Sequence, residues 1–195
     1  MTVDGAAKTY GDLYPTLFSK WVDNGGSVTY SYTATVTSST TGKQFVSTGV
    51  TGPASPISVS GAVTVTLNYK TQYKLTLATN LSGVGVSQMT AQPSSPDGFY
   101  DSGTSVDLTA DATVRIDSGS RYAFNYWSDD ARGTSNHATV TTCRARSVTA
   151  NYETQDLLTV KTNGLPRPLT TTVEYQNERM NRDEQVVYQP IQPAL

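Results

Sequence analysis

The decapeptide NYKTQYKLTL at residues 68–77 returns as NYETQDLLTV at residues 151–160. Both copies place apolar and aromatic side chains at alternate positions, a spacing that suits an extended chain, in which neighbouring side chains point to opposite faces. Val63, Val65, Leu67 and Tyr69 alternate with Thr64, Thr66 and Asn68 ahead of Lys70-Thr71-Gln72, and Tyr73, Leu75 and Leu77 alternate with Lys74 and Thr76 beyond it. The second copy follows with Val148, Ala150 and Tyr152, then Leu158 and Val160. The pattern predicts strand, short joint and strand, twice over. A three-residue joint without Gly or Pro leaves neighbours little relative freedom.

Two further stretches carry the same alternation. In SVTYSYTATV, Val28, Tyr30, Tyr32, Ala34 and Val36 share one face. In SVDLTADATVRI, Val106, Leu108, Ala110, Ala112, Val114 and Ile116 share another, and no helical period competes over these windows. WVDNGGSV at 21–28 parallels FYDSGTSV at 99–106, an offset of 78 residues, against 83 for the decapeptides (68 to 151). Between those anchors, the stretch from Gly42 parallels the one from Gly119. Three anchors in one order predict an internal duplication and an array of like modules. The divisions fall at 1–70, a module lacking its opening strand; 71–153, a complete module; and 154–195, the start of a third plus a polar tail. The fold class is all-β: tandem small antiparallel sheet modules, sandwich or β-grasp-like, with Val106, Leu108, Tyr122, Phe124, Val148 and Tyr152 buried.

Composition narrows the function. Charged residues make up 15% of the chain and the formal charge is −2, with Lys and Arg scattered, so no basic footprint for nucleic acid or anionic membranes is present. Ser and Thr reach roughly a quarter of the residues, a bias toward strands and solvated turns. The lone Cys143 excludes an intrachain disulfide, and with one histidine, His137, there is no Cys/His set for structural zinc. No apolar run approaches the length of a membrane helix, which predicts no membrane insertion by this segment.

The second module resembles the divergent internalin-B-type repeats, also called bacterial repeat domains, of bacterial and archaeal cell-surface proteins. The resemblance rests on Tyr73 to Leu77, Tyr100 to Ala110, Tyr122 to Asp130 and Val148 to Gln155, which parallel the opening strand, the Y-D/E-x-G-T-S-V-T-L-T-A strand, the aromatic strand ending W-S-G-D, and the closing V-T-A-N-Y-x-T-Q. Asp129 stands where that pattern has glycine, Cys143, Arg144 and Arg146 depart from it, and the first module has no Trp after Phe45. The resemblance implies a small all-β module of secreted or surface proteins, used in arrays, without enzymatic activity and without catalytic residues to carry over.

The candidate sites are few. Asp129 and Asp130 in WSDDARG are either a carboxylate pair for calcium or turn residues that satisfy backbone donors; calcium wants six to eight oxygens, more than this stretch offers. Asp107, Asp111 and Asp117 share a polar strand face, where a glycosidase would need two carboxyls facing across a cleft, and a solvated face that resists edge pairing is the plainer account. His137 and Cys143 lack an orienting third group and an oxyanion motif. Trp127, following Tyr122, Phe124 and Tyr126, either stacks on sugars or plugs the sheet where the strand turns. Asn80-Leu81-Ser82 fits the N-glycosylation pattern.

These features predict a non-catalytic extracellular module, a structural spacer or adhesive stalk, with no cofactor; calcium at the Asp129–Asp130 turn is the alternative to the turn reading. Its partners are neighbouring modules of the parent chain and cell-surface glycans or proteins. The alternative is a carbohydrate-binding accessory of a secreted hydrolase.

Overall fold

The computed structural model describes residues 1–8, 17–82 and 88–161. The chain divides into two compact units, Met1–Leu157 and Leu158–Leu195, and almost all of the described structure lies in the first. The tail after residue 176 lies outside the described residues. The fold is all-β, with no α-helix among the described residues.

Its spine is β8, Thr66–Thr79, a single strand of 14 residues. The N-terminal half of β8 pairs antiparallel with β6 (Lys43–Thr51), which in turn carries β5 (Thr35–Thr37). Its C-terminal half pairs in parallel with β15 (Arg146–Asp156), and β10 (Phe99–Asp101) adds to its middle through Gln72, Tyr73 and Lys74. Outward from β15 lie β13 (Ser120–Asp129) and β12 (Thr113–Arg115), both antiparallel. A separate three-stranded sheet orders β14 (His137–Thr141), β11 (Ser105–Ala110) and β9 (Met89–Gln92). Smaller ladders join β1 (Thr2–Val3) to β2 (Ala6–Ala7) and β4 (Tyr30–Ser31), and β3 (Gly26–Val28) to β7 (Ile57–Val59).

One core cluster fills the space among these strands, and its buried members all fall between Leu75 and Tyr152. Val106, Leu108 and Val148 are at most 1% exposed. Each contributes roughly 1.5–3 kcal/mol by leaving water. Leu75, Tyr100, Trp127, Val140, Ala150 and Tyr152 join them, while Tyr122 and Phe124 pack at the cluster edge, half-buried. Phe124 meets Tyr152 edge-on, with ring centroids 5.7 Å apart, a favoured aromatic geometry.

Two ladders of the molecule have the same register. β6 meets β8 with Lys43 opposite Tyr73, Ser47 opposite Tyr69 and, past a bulge at Thr48, Gly49 opposite Asn68. β13 meets β15 with Ser120 opposite Asp156, Phe124 opposite Tyr152 and, past a bulge at Asn125, Tyr126 opposite Asn151. Adding 77 to each residue of β6 and 83 to each of β8 turns every pair of the first ladder into a pair of the second, bulge included; the second runs one pair further, Asp129 opposite Val148. Flanking bonds follow: Gly25 N–H donates to Val59 O as Gly103 N–H does to Thr142 O, and Ser47 N–H donates to Ala34 O as Phe124 N–H does to Ala112 O.

Four readings of the sequence are corrected. Lys70-Thr71-Gln72 is the middle of β8, because those residues are hydrogen-bonded into the ladder with β6 and leave no linker; the division at residue 70 therefore falls inside a strand. The segment 27–36 is three short strands in three ladders, not one half-buried strand, and Tyr32 and Val36 are about 40% exposed. The switch occurs at Thr29, whose N–H donates to the Asp4 carboxylate and whose carbonyl accepts from Asp4 N–H. The run 105–116 breaks at Asp111-Ala112, where Asp111 N–H donates to Gln88 O and the chain crosses from one sheet to the other. Residues 157–161 form no strand, and Leu158 and Val160 are 75% and 69% exposed.

Candidate functional site

β13 ends in the turn that holds Trp127, Asp129 and Asp130. Trp127 is 2% exposed. Its indole N–H donates to Ser135 O at 2.8 Å, its backbone N–H to Gly133 O, and its ring lies 5.2 Å from that of Phe124. The segment that follows the turn thus folds back over the indole, and burial of the ring with a satisfied N–H is what a sheet plug requires.

Asp129 adopts φ +69°, the left-handed region that ordinarily favours glycine. Its carboxylate accepts from Thr149 Oγ1 at 2.6 Å on the neighbouring β15. Asp is among the residues that tolerate this conformation best, which lets it stand at a turn position built for glycine. Asp130 faces the other way. Its Oδ1 accepts from Arg146 Nη1 at 2.9 Å and from Arg144 Nη2 at 2.5 Å, and its Oδ2 accepts from Ser147 N–H at 3.0 Å. The Ser147 N–H first, then the Arg146 and Arg144 guanidiniums, hold the Asp130 carboxyl below the usual carboxylate range, outweighing the opposing effect of its partial burial. The two adjacent acids therefore do not converge. One closes onto Thr149, and the other is occupied by two cations and a backbone donor.

Beside the turn lies a shallow depression of about 380 Å³ lined by Tyr126, Trp127, Ser128, Asp129, Arg132, Gly133 and Thr134. Tyr126, 44% exposed, is its aromatic on the surface. A second hollow of about 210 Å³ lies between β8 and the 94–98 turn, against Leu75, Leu77 and Tyr100.

The remaining candidates are dispersed. Asp107 on β11 accepts from Thr139 Oγ1 on β14, Asp111 sits at the sheet crossover, and Asp117 caps the β12–β13 turn by accepting from Gly119 and Ser120 N–H, so the three do not form a row. His137 Nδ1 lies 3.0 Å from Thr109 Oγ1, whereas Cys143 accepts from Arg146. His137 opens β14 and Cys143 lies in the bend beyond its end, each with a different partner, and no nucleophile–base pair forms. No group of three or more His, Cys, Asp or Glu positioned for a metal ion occurs among the described residues. No helix among them is long and apolar enough to cross a membrane.

Asn80 carries a role that its glycosylation pattern does not announce. Its Nδ2 donates to Tyr152 O and its Oδ1 accepts from Tyr152 N–H, both at 2.8 Å. The side-chain amide thereby stands in for one more residue of the β8–β15 ladder. The nitrogen that a glycan would occupy is the one that donates. Asp101 was likewise not singled out by the sequence: it accepts from Lys70 Nζ and Gln72 Nε2, both at 2.9 Å, pinning β10 to β8 and lowering its own pKa through those bonds, Gln72 first.

No protein-family model, curated protein or solved structure matches the chain.

Proposed function

We propose that the chain is a non-catalytic extracellular segment of tandem β modules, a spacer or adhesive stalk that holds other parts of a surface protein apart and bears tension. The parallel pairing of β8 with β15 carries this reading. These strands open and close the stretch from Tyr73 to Asp156, so tension along the chain pulls the Leu75 end of one and the Ala150 end of its neighbour in opposite directions. Hydrogen bonds perpendicular to the pull are then loaded together in shear, and the strands cannot separate one bond at a time. The shared register of the β6–β8 and β13–β15 ladders supports tandem copies. Its partners are then the neighbouring modules of the parent chain.

Single-molecule force spectroscopy on the full chain tests this. Rupture of the clamp frees the residues from Leu75 to Ala150, which at about 3.5 Å each lengthens the chain by on the order of 250 Å in one step. Gradual extension at low force, with no such step, refutes the mechanical role.

One observation favours a second reading, a carbohydrate-binding accessory: the exposed Tyr126 ring beside Asp129 and Arg132 combines an aromatic face with polar groups, as sugar sites do. Micromolar binding to a defined glycan, abolished in Tyr126→Ala with the fold intact, would establish it in place of the spacer.

A further inference from the structure

Thr66 and Leu67 occupy, in the β6–β8 ladder, the place that Thr149 and Ala150 occupy in the β13–β15 ladder, and residues 63–65, which lead into β8, correspond by the same offset of 83 to residues 146–148. In the second ladder, Arg146 to Ala150 are covered along their far edge by Leu75 to Thr79 in parallel. Along 63–67, no strand of the described residues takes that position. The consequence is visible in burial. Val148 and Ala150 are fully buried, whereas their counterparts Val65 and Leu67 are only half-buried and Val63 is 43% exposed.

The strand suited to that edge is present elsewhere in the chain. Adding 83 to Leu75 and Leu77 gives Leu158 and Val160, in a segment that keeps the alternating apolar pattern yet lies unpaired and exposed. An edge and a segment of matching pattern, neither paired among the described residues, are the two halves of a strand-addition contact.

We propose that Leu158 to Lys161 of one molecule adds in parallel to the Val63–Leu67 edge of a second copy, pairing Val63 with Leu158, Thr64 with Thr159, Val65 with Val160 and Thr66 with Lys161. The register is that of Arg146 on Leu75 through Thr149 on Ala78. Leu158 and Val160 then cover the half-buried Val65 and Leu67, as Leu75 and Leu77 pack into the second core. Donor and acceptor are different surfaces of one chain, so the contact is heterologous and builds head-to-tail chains rather than closed dimers. A contact of four paired residues is small for a stable interface, so association is weak and depends on concentration. The inference rests on the tandem-module reading above.

The test is a cross-link in the full chain with Cys143→Ser as background. Thr64→Cys and Thr159→Cys correspond to Ser147 and Thr76, a directly opposed pair on the solvent face. Mild oxidation is expected to give a disulfide-linked ladder of multimers on a non-reducing gel, increasing with protein concentration. Leu158→Asp with Val160→Asp, at positions exposed in the monomer, is expected to reduce that ladder at least tenfold while the circular dichroism spectrum stays unchanged. Excess of a peptide with the sequence of residues 156–161 is expected to cap the chains and shorten the ladder. Absence of multimers, multimers indifferent to the Asp pair or to the peptide, or a disulfide within one chain each overturn the proposal. If the force step is intact and the ladder absent, only the strand addition falls; if the step is absent, the spacer reading falls first.

Discussion

Replacing Asp130 by Asn keeps the shape of the side chain and removes its charge, which separates an ion-pair turn from a calcium site. Arg146 and Asp130 are 19% and 17% exposed at the side chain. Their charge-assisted hydrogen bond contributes about 1.5–3 kcal/mol. Arg144 is 63% exposed. Solvent and salt screening leave its pair with Asp130 worth about 0–1 kcal/mol, toward the lower end. Asn retains one oxygen for Ser147 N–H or Arg146, so the net loss is about 2 kcal/mol, or ~4–8 °C in Tm for a unit of this size. The pH dependence has a definite sign. The folded carboxyl titrates below its unfolded value, so its contribution is fully present above the unfolded pKa, about 3.9, and disappears as pH falls through the folded one. Urea melts of both proteins should therefore differ by about 2 kcal/mol near neutral pH and converge in strong acid. The other carboxylates lowered by their partners, Asp4, Asp97 and Asp101, are common to both proteins and cancel in the difference. A gap that opens only when calcium is added, or persists undiminished once the Asp130 carboxyl is protonated in both folded and unfolded states, refutes this account of the turn.

Asn80→Ala removes both bonds to the Tyr152 backbone and strands a buried N–H and C=O, so urea melts should show a loss of about 2–3 kcal/mol. Gly42 has φ +72°, and a Cβ there would lie 2.7 Å from Ala145 Cβ, where β6 and β15 abut beside Lys74. Gly42→Ala should destabilise by more than the roughly 0.4–1 kcal/mol that the same change gains at a compatible site, and Ala145→Gly in the same chain should return part of it; additive losses in the double-mutant cycle would refute the contact. In hydrogen exchange, the amides of Val148, Ala150 and Tyr152 should be the slowest and those of β3, β5 and β7 should exchange earlier, because the core cluster lies wholly between residues 75 and 152.

Local pattern was readable wherever a strand kept one face to one core. Val106, Leu108 and Ala110 are buried against exposed Asp107 as alternation requires. The same rule fails at Thr29 and at Asp111, where the backbone is taken over by Asp4 and by Gln88, residues far away in sequence that no period announces. The parallel pairing of β8 with β15 is non-local in the same sense, since alternation gives faces and never neighbours. At the turn, the plug reading of Trp127 followed from the size of an aromatic in a small module. Arg144 and Arg146 were visible as departures from the resembled pattern, yet their pairing with Asp130, 14 and 16 residues away, depends on how β15 lies against β13. Asn80 was legible only as a glycosylation pattern, because a side chain that imitates backbone leaves no compositional trace.

The stiffness expected from a short joint has a different physical origin in the folded chain. Bending at Lys70 to Gln72 would require breaking the β6 ladder at Val46, Phe45 and Gln44 on one side. It would also break the β10 contacts, where Gln72 and Tyr73 pair with Asp101 and Tyr100 and Lys70 and Gln72 donate to the Asp101 carboxylate. A hinge there costs several hydrogen bonds at about 0.5–1.5 kcal/mol each, in addition to uncovering the half-buried Tyr69 and Tyr73. Linker length sets how far two bodies can wander when nothing else holds them. In this chain the strand belongs to both ladders at once, so β6 and β15 are held in fixed relation as long as β8 remains paired. Load entering through the first ladder therefore reaches the parallel clamp without passing through a flexible segment, which is the mechanical property a spacer needs.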